Sequence, residues 1–144
     1  MSNPFPFSSN AILTASDLNS VGDWTDYTPS TVSWSGAGSF DFVRFAEVNE
    51  LVLVKFKFSV TGTPSGTFEF TQPVIEVAGD SPAGAAGTAQ LRDASAGSYD
   101  IGFCFMSGDK IRLNLLNGSN VSNTQPFTWA SGDSIRGLMI YDAA

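Results

Sequence analysis

The stretch Val52-Leu53-Val54-Lys55-Phe56-Lys57-Phe58 decides the fold class, because its side chains change character at every residue. Successive side chains of a strand point to opposite faces, so Val52, Val54, Phe56 and Phe58 share one face and Leu53, Lys55 and Lys57 the other. The lysines mark the outside. Working outward, Tyr99, Ile101, Phe103 and Phe105 form a second apolar row. Ile111, Leu113 and Leu115 form a third, opposite Lys110, Arg112 and Asn114. From Thr31 onward such runs are broken by Gly, Pro, Asn and Asp, which predicts strands at 31–34, 40–47, 51–60, 66–71, 74–78, 87–93, 98–106, 109–116 and 134–141. No helix of two turns is visible after residue 30. This pattern predicts an all-β chain folded as an antiparallel, jelly-roll-like β-sandwich.

Composition agrees with short strands and tight turns. The 144 residues make one domain, long enough to bury about 68–70% of its unfolded surface. Charged residues are 15%, against about 25% in an average soluble protein. Gly 14, Pro 7 and Phe 12 fill the difference together with small polar residues. Coiled coils, long-helix bundles and disordered tails are excluded. Lys+Arg 7 against Asp+Glu 14 leaves a net charge of −7, so no basic footprint exists for phosphates and no nucleic-acid partner is expected. No run approaches the roughly 20 apolar residues of a membrane span, so no membrane partner is expected either. The N-terminus, Met1 to Phe7, has no Lys or Arg and no long apolar core, unlike a signal peptide; synthesis in a reducing cytoplasm follows.

Residues 1–30 read as an arm and 31–144 as the sandwich. Asn3-Pro4-Phe5-Pro6-Phe7 is held extended by its prolines. Thr14-Ala15-Ser16-Asp17-Leu18-Asn19 then predicts one short helical turn, capped by Thr14. A short, nearly uncharged arm cannot bury Phe5 and Phe7 on itself, so Phe5, Phe7, Ile12, Leu13 and Leu18 are candidates for anchoring to a partner. Trp24-Thr25-Asp26-Tyr27-Thr28-Pro29 leads into the body.

Most chemistry is removed by what the chain lacks. Without His there is no imidazole base or ligand, and one cysteine, Cys104, makes neither an internal disulfide nor a thiolate metal site. In Ile101-Gly102-Phe103-Cys104-Phe105-Met106 it reads as a packed core thiol. Two carboxylates remain as a glycosidase-like option, and Glu69 and Glu76 flank Gln72-Pro73, but each alternates to the face where solvated carboxylates belong. Asp80 is the only carboxylate of Asp80-Ser81-Pro82-Ala83-Gly84-Ala85-Ala86-Gly87, and that loop lacks the Lys of a phosphate loop. Ser107-Gly108-Asp109 recurs as Ser131-Gly132-Asp133, the same turn chemistry used twice. No catalytic residue, metal ligand or cofactor is expected. Trp24, Tyr27, Trp34 and Trp129 are the candidate ligand-facing aromatics, each of which equally suits a core or an interface.

Two strands are apolar on both faces. Leu51 and Leu53 share a row with Lys55 and Lys57, and Leu138 and Ile140 lie opposite Ile135, Met139 and Tyr141. One of the two faces needs a second cover, which makes Leu51, Leu53, Leu138 and Ile140 candidates for a subunit interface.

Phe7-Ser8-Ser9-Asn10-Ala11-Ile12-Leu13-Thr14-Ala15-Ser16-Asp17-Leu18-Asn19 resembles the "vLTAadLN" leader of structural proteins of tailed bacteriophages. Trp24 to Pro29 is similar to their "W-x-x-Y-T-P" entry to a small β-domain. Phe42 to Phe45 and Val48 to Phe56 are similar to its first hairpin. Pro126 to Ala143 resembles the closing "W-x-x-G-D…Y-E" strand, with Asp142 in place of Glu. Residues 60–125 match only in strand and turn pattern. The resemblance implies a virion role without catalysis, and the shortness of the chain points to a capsid decoration (cement) protein. It would form a homotrimer on the outer capsid surface, with the major capsid protein as partner. The alternative it implies is a short head-fibre or tail-tip adhesin that binds a host surface glycan.

Overall fold

A computed structural model describes residues 22–30, 32–48, 51–74 and 86–143. They contain eight strands: β1 (Thr25–Asp26), β2 (Gly38–Val48), β3 (Leu51–Val60), β4 (Glu69–Thr71), β5 (Ala86–Asp93), β6 (Ser98–Ser107), β7 (Lys110–Leu115) and β8 (Ser134–Asp142). All pair antiparallel in one sheet, in the order β1-β2-β3-β8-β5-β6-β7-β4. The chain is therefore all-β and, among the described residues, has no helix. Where the sequence predicts a two-sheet sandwich, the hydrogen bonds run through one curled sheet. The expected helical turn at 14–19 lies outside the described residues, as do Phe5, Phe7, Ile12, Leu13 and Leu18. Of the expected strand at 31–34, Val32 makes a single bridge to Phe70 and residues 33–34 belong to a turn.

The curl closes because one segment ties the two ends of the sheet together. Thr25 and Asp26 pair with Phe45 and Arg44 on β2, and the Tyr27 N–H donates to the Val43 carbonyl at 2.8 Å. A few residues later the same segment reaches β4: the Ser30 N–H donates to Thr71 Oγ1 at 2.9 Å and the Ser33 N–H to the Glu69 carbonyl at 3.1 Å. Both outermost strands thereby gain partners, which removes much of the exposed edge an open sheet would carry.

One face of the sheet lines the core. Val52, Val54, Phe56, Phe58 and Val60 of β3 all lie inside, with Ile135, Met139 and Tyr141 of β8, Leu91 of β5 and Ile111 and Leu113 of β7. Phe40, Phe56, Phe58, Phe68 and Phe70 meet largely edge-on, with centroids 4.9–6.5 Å apart, the geometry that ring quadrupoles favour. Phe56 covers its cross-strand neighbour Gly137, where a Cβ would lie 2.4 Å from the ring. A larger residue at 137 would displace that ring.

The inside of a curled sheet has less room than the outside, and this decides the orientation of β6. Gly102, Cys104 and Met106 face the core, while Tyr99, Ile101 and Phe103 are 60%, 54% and 41% exposed. Cys104 is packed in the core as its sequence context predicts, and the apolar row Tyr99, Ile101 and Phe103 takes the other face. The adjoining β5 has Gly87 and Ala89 before Leu91 on its inner side; a Cβ on Gly87 would lie 2.4 Å from the Leu138 carbonyl oxygen. Small inner residues at Gly137, Gly87, Ala89 and Gly102 let these strands approach the ring cluster closely, and the bulkier row of β6 goes to the outer side.

Candidate functional site

The outer face of β3, β8, β5 and β6 carries a continuous apolar surface. Leu53 pairs across strands with Ile140, and Ile140 with Ala86. In the next row Lys55 pairs with Leu138, Leu138 with Thr88, and Thr88 with Phe103. Leu51, Leu138, Ile140, Ile101 and Phe103 are exposed, on the side of the sheet away from the core cluster. Ala86 and Thr88 are smaller than their neighbours, so a shallow trough runs along β5, walled by Leu138 and Ile140 on one side and Phe103 on the other. The four residues singled out by sequence, Leu51, Leu53, Leu138 and Ile140, lie together here. Sequence reasoning missed Ile101 and Phe103 as part of this surface, although the small residues alternating with them, Gly102 and Cys104, hinted at this orientation.

Of the candidate aromatics, Trp34 and Trp129 are corrected: each is 1% exposed and sits in the core. Their rings meet at 5.2 Å, the indole N–H of Trp34 donates to the Gly66 carbonyl at 3.3 Å and that of Trp129 to the Gln125 carbonyl at 3.2 Å. Their polar atoms are satisfied by backbone at one end of the curled sheet, leaving nothing for a ligand. Trp24 is exposed and stacks under the Lys55 ammonium, 3.8 Å from the ring centroid. Tyr27 is half-buried, and its hydroxyl bonds Thr71 Oγ1 and the Gln72 carbonyl, both at 3.0 Å.

Tyr27 also lines a cleft of about 480 Å³ between residues 26–35 and β2. Its walls include Phe40, Phe42, Asp26, Asp41 and Arg44. The register of β2 against β3 slips between Phe40 and Phe42; such a bulge turns neighbouring side chains out of alternation. Asp41 is paired to Lys57 and accepts from Ser59 Oγ at 3.1 Å. The Lys57 hydrogen bond, with Ser59 and the nearby Arg136 charge, holds the Asp41 carboxyl below its ordinary range. Asp26 binds Arg44 Nε at 2.7 Å.

The acid and thiol candidates are accounted for structurally. Glu69 accepts from Lys110 Nζ at 2.9 Å and from Arg112 Nε at 2.9 Å. The Lys110 hydrogen bond, assisted by Arg112, outweighs partial burial and lowers its pKa, the wrong direction for a general acid. Glu76 and Asp80 lie outside the described residues. Cys104 is buried, and burial pushes its thiol up to about 12; at neutral pH it is protonated and unreactive. The repeated turn has two uses. Gly108 and Gly132 both have positive φ, 65° and 101°, but Asp109 is exposed at the β6–β7 hairpin whereas Asp133 is buried. Asp133 accepts from the Ala94 N–H at 2.8 Å and the Ala130 N–H at 2.7 Å, joining two loops.

Comparison with protein-family models, with curated proteins and with solved structures finds no match.

Proposed function

We propose that this chain is a virion structural protein that assembles through the outer face of its sheet. In this reading the curled sheet is the jelly-roll-like body of a capsid decoration protein, a second copy covers Leu51, Leu53, Leu138 and Ile140, and the N-terminal arm anchors on the major capsid protein. The observation that carries it is the apolar row pair Leu53–Ile140 and Leu138–Thr88–Phe103, on the side of the sheet away from the core cluster. Surfaces of this kind mark protein contacts. The leader at 7–19 supplies the virion context. Antibody labelling of intact particles of the encoding phage tests it: label spread over the head surface is the expected result, and label confined to the tail, or absent, overturns it. A variant lacking residues 1–10 should keep its circular dichroism yet fail to bind undecorated capsids.

The cleft favours a second reading, a glycan-binding adhesin. Phe42 and Tyr27 line it together with Asp26 and Asp41, a mixture suited to a sugar's apolar and hydroxyl sides. Loss of host-cell binding on Phe42→Ala, with head labelling absent, would select this reading.

A further inference from the structure

The outer row of β8 reads Arg136, Leu138, Ile140, Asp142: a cation, two apolar residues and an anion. Arg136 and Asp142 stand three residues to either side of Met139, so the row is its own complement when turned end for end. We propose that the outer face packs against the same face of a second copy about a two-fold axis that crosses β8 at Met139. Arg136 then meets the second copy's Asp142 at both ends of the contact, and Leu138 meets the second copy's Ile140 between them. This rests on the reading that the outer face is covered by another copy; it adds the geometry and the order of the assembly.

Charge argues for this axis. Lys55 and Lys57 of β3, Arg136 of β8 and Arg92 of β5 all lie on this face of a protein whose net charge is −7, so two copies of the face meet favourably only where a cation of one lies on an anion of the other. Lys57 and Arg136 are direct cross-strand neighbours, an arrangement of like charges that destabilises a sheet. Both draw on one carboxylate, Asp41, which leaves a surplus cation at that end. Among the described residues, neither Arg136 nor Asp142 belongs to an ion pair. A two-fold running along β8 would instead set Arg136 on Arg136 and Asp142 on Asp142. A three-fold pairs two different patches of each copy, and the self-complementary row would go unused. Stacked sheet faces sit roughly 10 Å apart, which long side chains such as Arg136 span.

The full chain and three variants, Arg136→Glu, Asp142→Arg and the double exchange, are measured by sedimentation velocity and light scattering, with circular dichroism as the check on folding. The expected result is a dimer for the natural chain and, by placing like charges together, at least about tenfold weaker association for each single variant. Mixing the two single variants in equal amounts should restore the dimer. At one end of the mixed contact the new carboxylate at position 136 meets the new guanidinium at position 142, and at the other end Arg136 still meets Asp142. The double variant should dimerise alone. A natural chain that dimerises but ignores the single exchanges, or is not rescued by mixing, overturns the two-fold contact while leaving self-association standing. A trimer overturns it likewise. A natural chain that stays monomeric at micromolar concentration removes the self-association reading itself.

Discussion

β3 and β6 alternate with equal regularity, yet they are mounted in opposite senses. In β3 the bulky row Val52, Val54, Phe56 and Phe58 faces the core and the row with Lys55 and Lys57 faces out. In β6 the bulky row Tyr99, Ile101 and Phe103 faces out and Gly102, Cys104 and Met106 face in. Alternation divides a strand into two faces but does not say which one is buried. In β3 desolvating two ammonium groups would be prohibitive, so charge settles the matter. Neither row of β6 is charged along residues 101–106, so volume settles it: the inner row Gly102, Cys104 and Met106 is the less bulky of the two and takes the concave side.

The largest effect expected from this contrast is at Phe56. Truncation to Ala removes a ring from the centre of the cluster and uncovers Gly137, so a loss of about 3–5 kcal/mol is expected in urea unfolding. A loss under ~1 kcal/mol would break the distinction, by showing that the inner row of β3 is not the core. Next comes Asp133→Ala, which removes the buried carboxylate that accepts from the Ala94 and Ala130 N–H groups and joins their loops, at a cost of about 1–3 kcal/mol. Asp109→Ala in the matching turn should be close to neutral, and equal effects would mean that the two turns are used alike.

The outer surface responds to pH at β4 and β7. Because Glu69 has its pKa lowered in the folded chain, its pairing with Lys110 and Arg112 contributes stability above its ordinary value of 4.5. That contribution disappears as pH falls through the lowered folded value. Glu69→Gln should therefore reduce melting temperature at pH 7 and have no effect near pH 2. A variant that loses as much in acid as at neutral pH would show packing rather than charge to be responsible. The smallest effect is expected for Phe103→Ser: within about 0.5 kcal/mol in the unfolding of the separated chain, although association should weaken. A core-sized loss there would reverse the assigned orientation of β6.

Much of the fold was legible because short-range chemistry governs it. Hairpins β2–β3 and β6–β7 follow from alternating runs broken at Gly108-Asp109 and near residue 49, and β5 and β8 from runs of the same kind. β1 was not legible as a strand: two exposed residues, Thr25 and Asp26, carry no pattern, and only their pairing with Phe45 and Arg44 makes them one. The candidate site was half legible. Leu51, Leu53, Leu138 and Ile140 could be suspected from the opposite faces of their own strands. Trp34 and Trp129 could not be assigned, since an indole beside a turn suits a core and a binding surface equally until the backbone carbonyls of Gly66 and Gln125 are in place.

By itself, the sequence determined that the chain is antiparallel β, that β3 turns its lysines outward, and that histidine chemistry is absent. These depend on residue type and on a period of two, both local quantities. Only the tertiary structure decided that the strands join in one curled sheet and that the apolar row of β6 lies beside Leu138 and Ile140. It also decided that Arg136 and Asp142 bracket that surface. Curvature, register and the volume left inside a closed sheet arise from contacts between residues far apart in the chain, and no alternation within a single strand encodes them.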